Sequence, residues 1–391
     1  MSYLYIGCGT LILFIISLIG GKKGKALSDY ILMFWLLVFF ANIFTLFLLE
    51  QNGYSPNSFS EKILFEFSEA SIFLHGPFFW FYTLALTKPK FVLQSKHLVH
   101  TVLFFASFLF LVWGVIYQGS ISFSSRKELI VLKMLSLLIY NVAVMLQLKK
   151  HQLSIQNIFS NTEEKQLNWL YFLCWGILII WSLSVISLFA GVFTNISTPE
   201  SISLFPNIAI CIFIYLMGYF GVRQNSIFVK HEIENYPLNN KEEPLQIKEE
   251  EVSIQEEKYK KSGLNKVKAE KIWHELSQFM ETKAPYLDPD LSLFSLSEFL
   301  HVMPNHLSQT INEKENQNFF DYINKYRINA VKIQILAGKL QEHTLLGIAL
   351  DCGFNSKASF NRAFKKYTGL TPTEFKKQNE NSIAKVINEP D

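Results

Sequence analysis

The chain has 391 residues, enough for two or three domains, and 50% of them are hydrophobic, including 36 phenylalanines. Its mean hydropathy is positive, which excludes an ordinary soluble globular protein as a description of the whole chain. The formal net charge of +3 averages an apolar half that ends near Val222 with a polar, charge-rich half. By itself this charge indicates no partner.

Seven apolar runs precede residue 224, and each is long enough to cross a hydrocarbon core of about 30 Å, which takes about 20 helical residues. They cover approximately residues 3–20, 30–49, 68–87, 98–117, 129–148, 167–189 and 203–222. The third run is the weakest, because Glu66 and Glu69 flank its start and His75-Gly76-Pro77 lies in its middle. No small-residue cleavage motif follows the first run, which favours a retained helix over a signal peptide. The sequence therefore predicts a seven-helix transmembrane bundle over residues 1–223, interpreted as a sensor domain.

Loop charges indicate how such a bundle is oriented. Cytoplasmic loops of membrane proteins carry the excess of Lys and Arg. The loops after even-numbered runs hold only Lys62, Arg126 and Lys127, whereas ten basic residues follow the odd-numbered runs. This bias places the N-terminus outside and everything after Arg223 in the cytoplasm, and an odd number of spans satisfies it.

Polar groups inside the apolar runs are functional candidates, because burying them in lipid is costly. Glu66 and Glu69 share a helix face at positions i and i+3. They either bind a cation or an external ligand, or they lie at the headgroup level or bond to a neighbouring helix, and the second interpretation is favoured. His75 is interpreted as a packed residue at a kink, and Lys133 as a side chain that reaches outward to the interface.

The polar half begins with a charged stretch over residues 224–261 that is too poor in bulky apolar residues to fold alone, so we expect a tether. A cytoplasmic all-α domain is predicted over 262–391. Its first helix follows the apolar pattern Leu264, Val267, Ile272, Leu276, Phe279 and Met280.

A first helix-turn-helix unit is predicted over about 295–314. Ser295 and Glu298 form a capping-box pattern before Phe299, and Pro304 suits the first turn of the next helix. A long helix follows over about 319–338, and its predicted inward residues are Phe320, Ile323, Ile328, Val331, Ile335 and Leu336. Gly338 is predicted to end this helix.

The second helix-turn-helix unit, over about 344–367, carries the strongest pattern in the chain. Thr344 is a capping residue for a short apolar helix, and a turn at Gly353 opens the next helix. In that helix the buried row is Phe360, Ala363, Phe364 and Tyr367, and the opposite stripe is Lys357, Ala358, Asn361, Arg362 and Lys365. One packed face and one polar face with basic residues are typical of a helix that enters a DNA major groove. A last short helix, capped by Thr371 and Glu374, follows.

These residues resemble the signature of AraC/XylS-type transcription regulators. The resemblance is carried by DCGFNS at 351–356, FNRAFKK at 360–366 and GLTP at 369–372, with weaker support from NHLSQ at 305–309, FDYI at 320–323 and YR at 326–327. It covers about residues 286–377. Where the family often has Gly between the first reading helix and the long helix, this chain has ENQN at 315–318, and Asn can take the left-handed conformation needed there.

The resemblance implies which residues face DNA. Base-edge contacts are implied for Asn305, Ser308 and Gln309 in the first unit and for Lys357, Ala358, Asn361 and Arg362 in the second. Phosphate contacts are implied for Lys365 and Lys366. A helix of about 20 residues is about 30 Å long, close to the roughly 34 Å between major-groove faces one turn apart, so two units on such a helix can address adjacent turns.

The favoured interpretation is a membrane-embedded, sequence-specific transcription regulator in the inner membrane of a bacterial cell, where DNA can reach the membrane's cytoplasmic face. Its partners would be double-stranded DNA and the lipid bilayer, with a homodimer partner and an unidentified small-molecule or protein signal as further candidates. The alternative is a seven-span receptor or transporter whose cytoplasmic helical domain docks a protein. An enzyme is not expected, because the sequence shows no catalytic dyad, phosphate loop or metal-ligand cluster; we expect no cofactor and no metal.

Overall fold

The structure, a computed structural model, describes residues 2–53, 56, 58–88, 91–118, 123–194, 200–224 and 264–378. Within these ranges every regular element is helical, and one isolated antiparallel bridge joins Phe159 to Ser292. The predicted all-α class is confirmed. The chain divides into two compact units, Met1–His151 with Leu167–Val229, and Gln152–Gln166 with Lys230–Asp391. Of the predicted tether over 224–261, all but residue 224 lies outside the described residues.

The first unit contains seven long helices. They are α1 (Ser2–Gly20), α2 (Leu27–Gln51), α3 (Phe59–Thr87), α4 (Val102–Gln118), α5 (Phe123–Gln156), α6 (Asn168–Thr194) and α7 (Glu200–Arg223). Helix α2 packs on α1 and α3, α3 also packs on α4, and α7 packs on α1, α2 and α6. Trp35 of α2 is fully buried at the centre of this unit and contacts the ring of Phe79 on α3 and that of Phe213 on α7.

Six helices of the described part are long and apolar enough to cross a membrane, namely all of these except α3, and α4 reaches this length together with the 3-10 turn Ser95–Thr101 that precedes it. Seven spans were predicted, one more than the six that meet this standard. Helix α3 runs unbroken for 29 residues and contains Pro77, but the charges of Glu61, Lys62, Glu66 and Glu69 lower the hydropathy of its first half.

Polar side chains of α3 bond to neighbouring helices, as the favoured interpretation held. Lys133 of α5 lies 2.7 Å from a carboxylate oxygen of Glu69, and His75 bonds to Trp35 and Asn42 of α2. The prediction that Lys133 reaches outward is wrong, since its side chain is buried. An ammonium group in an apolar setting is far less costly when a carboxylate neutralises it.

Among the described residues, the second unit contains seven α-helices. They are α8 (Lys266–Lys283), α9 (Leu293–Phe299), α10 (Pro304–Glu315), α11 (Phe319–Leu336), α12 (Leu345–Asp351) and α13 (Lys357–Thr368), followed by a last helix over 372–378. One apolar core joins α8, α9, α10 and the first half of α11. A second core joins the other half of α11 to α12 and α13. Helix α11 is thus shared by two small bundles, one for each helix-turn-helix unit.

Several predicted details of this unit need correction. Helix α9 begins three residues earlier than predicted, with Ser292 instead of Ser295 as N-cap and Ser295 as its reciprocal partner, because Leu293 and Leu296 must both enter the core. Val267 is 79% exposed, Phe299 61% and Leu336 62%, so these three predicted core positions are wrong. In α11, Phe319 and Tyr322 are buried instead.

Candidate nucleic-acid interface

Helix α13 has the clearest division into a packed and an exposed face. Ser356 caps its start by accepting from the amide of Ser359 at 3.1 Å, and Gly369 ends it in the left-handed conformation at φ 76°. Phe360 and Phe364 are buried in the second core. The predicted inward row is confirmed, with Tyr367 half-buried at its end.

The opposite face of α13 is exposed. It presents the five residues predicted from periodicity, Lys357, Ala358, Asn361, Arg362 and Lys365. Arg362 has donors at the centre of this stripe, and Asn361 supplies both a donor and an acceptor beside it. A guanidinium group and a carboxamide on one open helix face can each bond to a base edge in two places.

Lys366 and Tyr367 fix α13 on the long helix α11. The Lys366 ammonium lies 2.6 Å from a carboxylate oxygen of Asp321, and the Tyr367 hydroxyl donates to the Asp321 carbonyl at 2.8 Å. Burial, reinforced by the Asp321 charge, raises the pKa of Tyr367. Lys366 is therefore both exposed to solvent and paired with Asp321. If it contacts a phosphate, it also helps to hold α13 on α11.

The first candidate reading helix, α10, is less open. Asn305, Ser308 and Gln309 lie on one side of it and are all half-buried, and the Gln309 amide donates to Glu313 at 2.8 Å. Asn316 takes the left-handed conformation, at φ 52° and ψ 37°, at the end of the helix. The turn in which Asn replaces the usual Gly therefore forms as expected.

Sequence reasoning missed Arg327, the residue at which the two helix-turn-helix units meet. It is 1% exposed, and its guanidinium donates to the Tyr286 carbonyl at 2.7 Å and the Asp288 carbonyl at 2.7 Å, just before the first unit. Gly353, the turn of the second unit, has φ 90°, and a Cβ there would lie 2.9 Å from Arg327 Nε. Burial lowers the pKa of Arg327 to about 10, so it stays charged at neutral pH.

Charge around this face is mostly positive. From Gly353 to Lys377 the chain carries six basic residues, Lys357, Arg362, Lys365, Lys366, Lys376 and Lys377, with Glu374 as the single acid. Bonds from the backbone and side chain of Thr371 lower the pKa of Glu374. Such a basic patch suits the phosphates of a nucleic acid. Within the described residues no group of three or more His, Cys, Asp or Glu side chains is placed to hold a metal ion.

Comparison with known proteins supports a helix-turn-helix domain in this part of the chain. A family model described as a helix-turn-helix domain matches residues 296–378, a range that contains both units and the helix between them. The C-terminal domain is an AraC-type helix-turn-helix domain. An uncharacterised HTH-type transcriptional regulator of Staphylococcus aureus (strain COL) is 37% identical over 87 residues, which are 22% of this chain and 11% of that protein.

Two further matches also cover only part of the chain. An uncharacterised HTH-type transcriptional regulator of Escherichia coli (strain K12) is 26% identical over 113 residues, 29% of this chain and 38% of that protein. A solved structure of a protein of unknown function from Listeria innocua is 33% identical and covers 27% of this chain and 94% of its own, with a TM-score of 0.24. The chain spans about a tenth of the length of the Staphylococcus relatives.

Proposed function

We propose that the protein is a membrane-embedded transcription regulator that binds specific DNA sequences through its AraC-type domain and responds to a signal received by its helical membrane unit. The observation that carries this proposal is the exposed stripe of α13, with Arg362 at its centre, on a helix whose other face is locked into a core. The same stripe argues against a protein-docking domain, because the centre of a protein-docking face is depleted of charged residues, including lysine, and this stripe carries Lys357 and Lys365.

The membrane half of the proposal rests on the apolar helices of the first unit. Six of them have the length and composition of spans. We assign α3 as a seventh, because Glu69 is neutralised by Lys133 within the bundle and the helix is long enough to cross. With seven spans, the loop charges place the N-terminus outside and the AraC-type domain in the cytoplasm of a bacterial cell.

The two helix-turn-helix units would bind adjacent turns of the major groove. Asn305, Ser308 and Gln309 of α10 read one half of the site, and Lys357, Ala358, Asn361 and Arg362 of α13 read the other. Lys365 and Lys366 contact phosphates. Because α10 is less open and α13 more basic, the second unit supplies most of the affinity. The domain performs this role by binding alone, with no enzymatic step.

The proposal is tested by selecting duplexes from a random library with the full chain held in nanodiscs. We expect enrichment of sites about two helical turns long. Recovery of no sequence in excess over bulk DNA would overturn the proposal.

Replacing Arg362 with Ala should relax sequence preference at one base pair of the enriched site. The lost discrimination should be about 1–3 kcal/mol, as for a bidentate arginine–guanine contact. The measurement is competition binding against duplexes mutated at each position in turn. Lys271→Ala removes an exposed charge from α8; it is the matched control and should leave the preference at every base pair unchanged. An equal loss of affinity for all duplexes in the Arg362 variant would contradict a base contact.

Replacing Lys365 with Ala should weaken binding uniformly across sequences. If the ammonium neutralises one phosphate, the slope of log affinity against log salt concentration should fall in magnitude by about 0.9. Titrations at several salt concentrations measure this slope. An unchanged slope would show that Lys365 does not contact the backbone.

A further inference from the structure

The segment Gln152–Gln166 connects α5 to α6 but is part of the second unit. Its residues pair with the chain just before α9: the Ser160 amide donates to the Leu291 carbonyl at 3.2 Å, and the Leu293 amide donates to the Ile158 carbonyl at 2.8 Å. Ile158, Phe159 and Ser160 are all buried. This loop therefore extends the fold of the AraC-type domain.

The loop also completes the bonding of Arg327. One guanidinium nitrogen donates to the Ser160 carbonyl at 3.1 Å, and another donates to the Ser160 hydroxyl at 3.0 Å. The Ser160 hydroxyl in turn donates to the Leu291 carbonyl at 2.6 Å. Half of the four hydrogen bonds of the buried Arg327 thus go to one loop residue.

Arg327 lies where the Gly353 turn of the second unit meets the chain before the first unit. It holds the backbone before the first unit and lies against the Gly353 turn of the second. The loop accepts hydrogen bonds from Arg327, and it pairs with Leu291 and Leu293. It therefore contacts the first unit directly and the second unit through Arg327. Its docking therefore bears on the angle between the two reading helices.

The connection from the membrane unit into this loop is short and stiff. Helix α5 continues without interruption to Gln156, eight residues beyond the predicted end of the fifth span. At about 1.5 Å per residue this is about 12 Å of rigid helix. A continuous helix transmits a small displacement along its length.

We propose that the Gln152–Gln166 loop is the coupling element of the protein: docked, it holds the two helix-turn-helix units in the arrangement that reads DNA, and movement of α5 or α6 withdraws it. This inference rests on the proposed function. Docking uses none of the candidate base-contacting residues, and the α13 stripe stays exposed while the loop is docked. The docked state is therefore the DNA-binding state, and the signal acts by loosening it.

A disulfide between the loop and the domain tests docking without DNA. Phe159 and Ser292 are opposed in the antiparallel bridge, and their neighbours, rather than they themselves, exchange the hydrogen bonds. Cα atoms in such a pair are about 4.5 Å apart, within the range of about 4.4–6.8 Å that a disulfide requires. Phe159→Cys with Ser292→Cys in the full chain in nanodiscs should give linked peptides by mass spectrometry after mild oxidation, and each single variant should not. Absence of the linked pair overturns the inference, whatever the protein does with DNA.

A serine replacement tests whether docking of the loop controls sequence-specific DNA binding. Ser160→Ala removes one acceptor of a buried charged donor and should weaken binding to the selected duplex by about tenfold. Binding to a shuffled duplex should be unchanged. Ser154→Ala, at a serine of the same segment that lies in the last turn of α5 and outside the Arg327 network, is the matched control and should bind like the parent chain.

Combining the serine replacement with the disulfide distinguishes loss of loop docking from a general loss of stability. In the Ser160→Ala chain that also carries both cysteines, oxidation should restore affinity for the selected duplex to within about twofold of the parent, and reduction should remove the gain. Unchanged affinity of Ser160→Ala, or no recovery on oxidation, overturns the coupling role. If the parent chain itself prefers no duplex, the proposed function fails, and the coupling role fails with it even where the disulfide forms.

Discussion

Replacing Gly353 with Ala should lower the free energy of opening the second helix-turn-helix unit by about 2–5 kcal/mol. Two effects add. The residue has φ 90°, and a left-handed conformation costs an L-residue about 1–2 kcal/mol. A Cβ would also overlap the Tyr286 carbonyl oxygen and lie 3.0 Å from that of Leu287, and forcing atoms into a packed site costs about 1–3 kcal/mol.

Gly369 provides the matched control. It also has a positive φ, 76°, but a Cβ there would meet nothing within 4 Å. Gly369→Ala should therefore cost only the conformational part, about 1–2 kcal/mol. Hydrogen exchange of peptides from 345–378, measured on the full chain in nanodiscs, reports the local opening free energy of both variants. Equal losses in the two variants would show that the Gly353 turn does not press on the chain before the first unit.

Replacing Arg327 with Leu should destabilise the AraC-type domain by about 3–5 kcal/mol. The change removes the Arg327 donor from the carbonyls of Tyr286, Asp288 and Ser160, and each unsatisfied buried acceptor costs about 1–3 kcal/mol. The Asp288 carbonyl keeps a second donor, the Leu291 amide at 3.3 Å. Exposure of the chain around Asp288 lets water replace part of this loss. Hydrogen exchange should show increased opening both before α9 and around Gly353, because Arg327 joins these two regions.

Arg362→Leu is the control for this change, since it removes the same group from an exposed helix face. It should alter the opening free energy by no more than about 0.5 kcal/mol while reducing discrimination among duplexes. The Arg327 variant thus tests the stability of the domain, and the Arg362 variant tests its sequence-specific DNA binding. If Arg327→Leu is no more destabilising than Arg362→Leu, the junction assigned to Arg327 is wrong.

Local chemistry made much of the AraC-type domain predictable. Caps at Thr344 and Ser356, the left-handed positions at Asn316 and Gly369, and the two stripes of α13 all depend on residues within a few positions of one another. These features set where helices begin, end and face. The candidate reading residues follow from the same local pattern.

Burial was less predictable, because it depends on what packs across from a helix. Leu336 and Val267 have a spacing that suits a buried face, but both are exposed, while Ile335 beside Leu336 and Leu264 and Ala269 around Val267 belong to the cores. The contact between Ser160 and Arg327 joins residues 167 positions apart. No periodic pattern connects a loop between two apolar runs to a helix of a distant domain.

The central claim is that this protein binds specific DNA while it remains in the membrane. The most direct measurement is to crosslink DNA to the full chain in living bacteria, isolate washed membranes, and sequence the DNA bound to the protein. We predict discrete genomic sites that share an element of about two helical turns and that are lost with Arg362→Ala. Recovery of DNA without preferred sites from the membrane fraction would contradict the account.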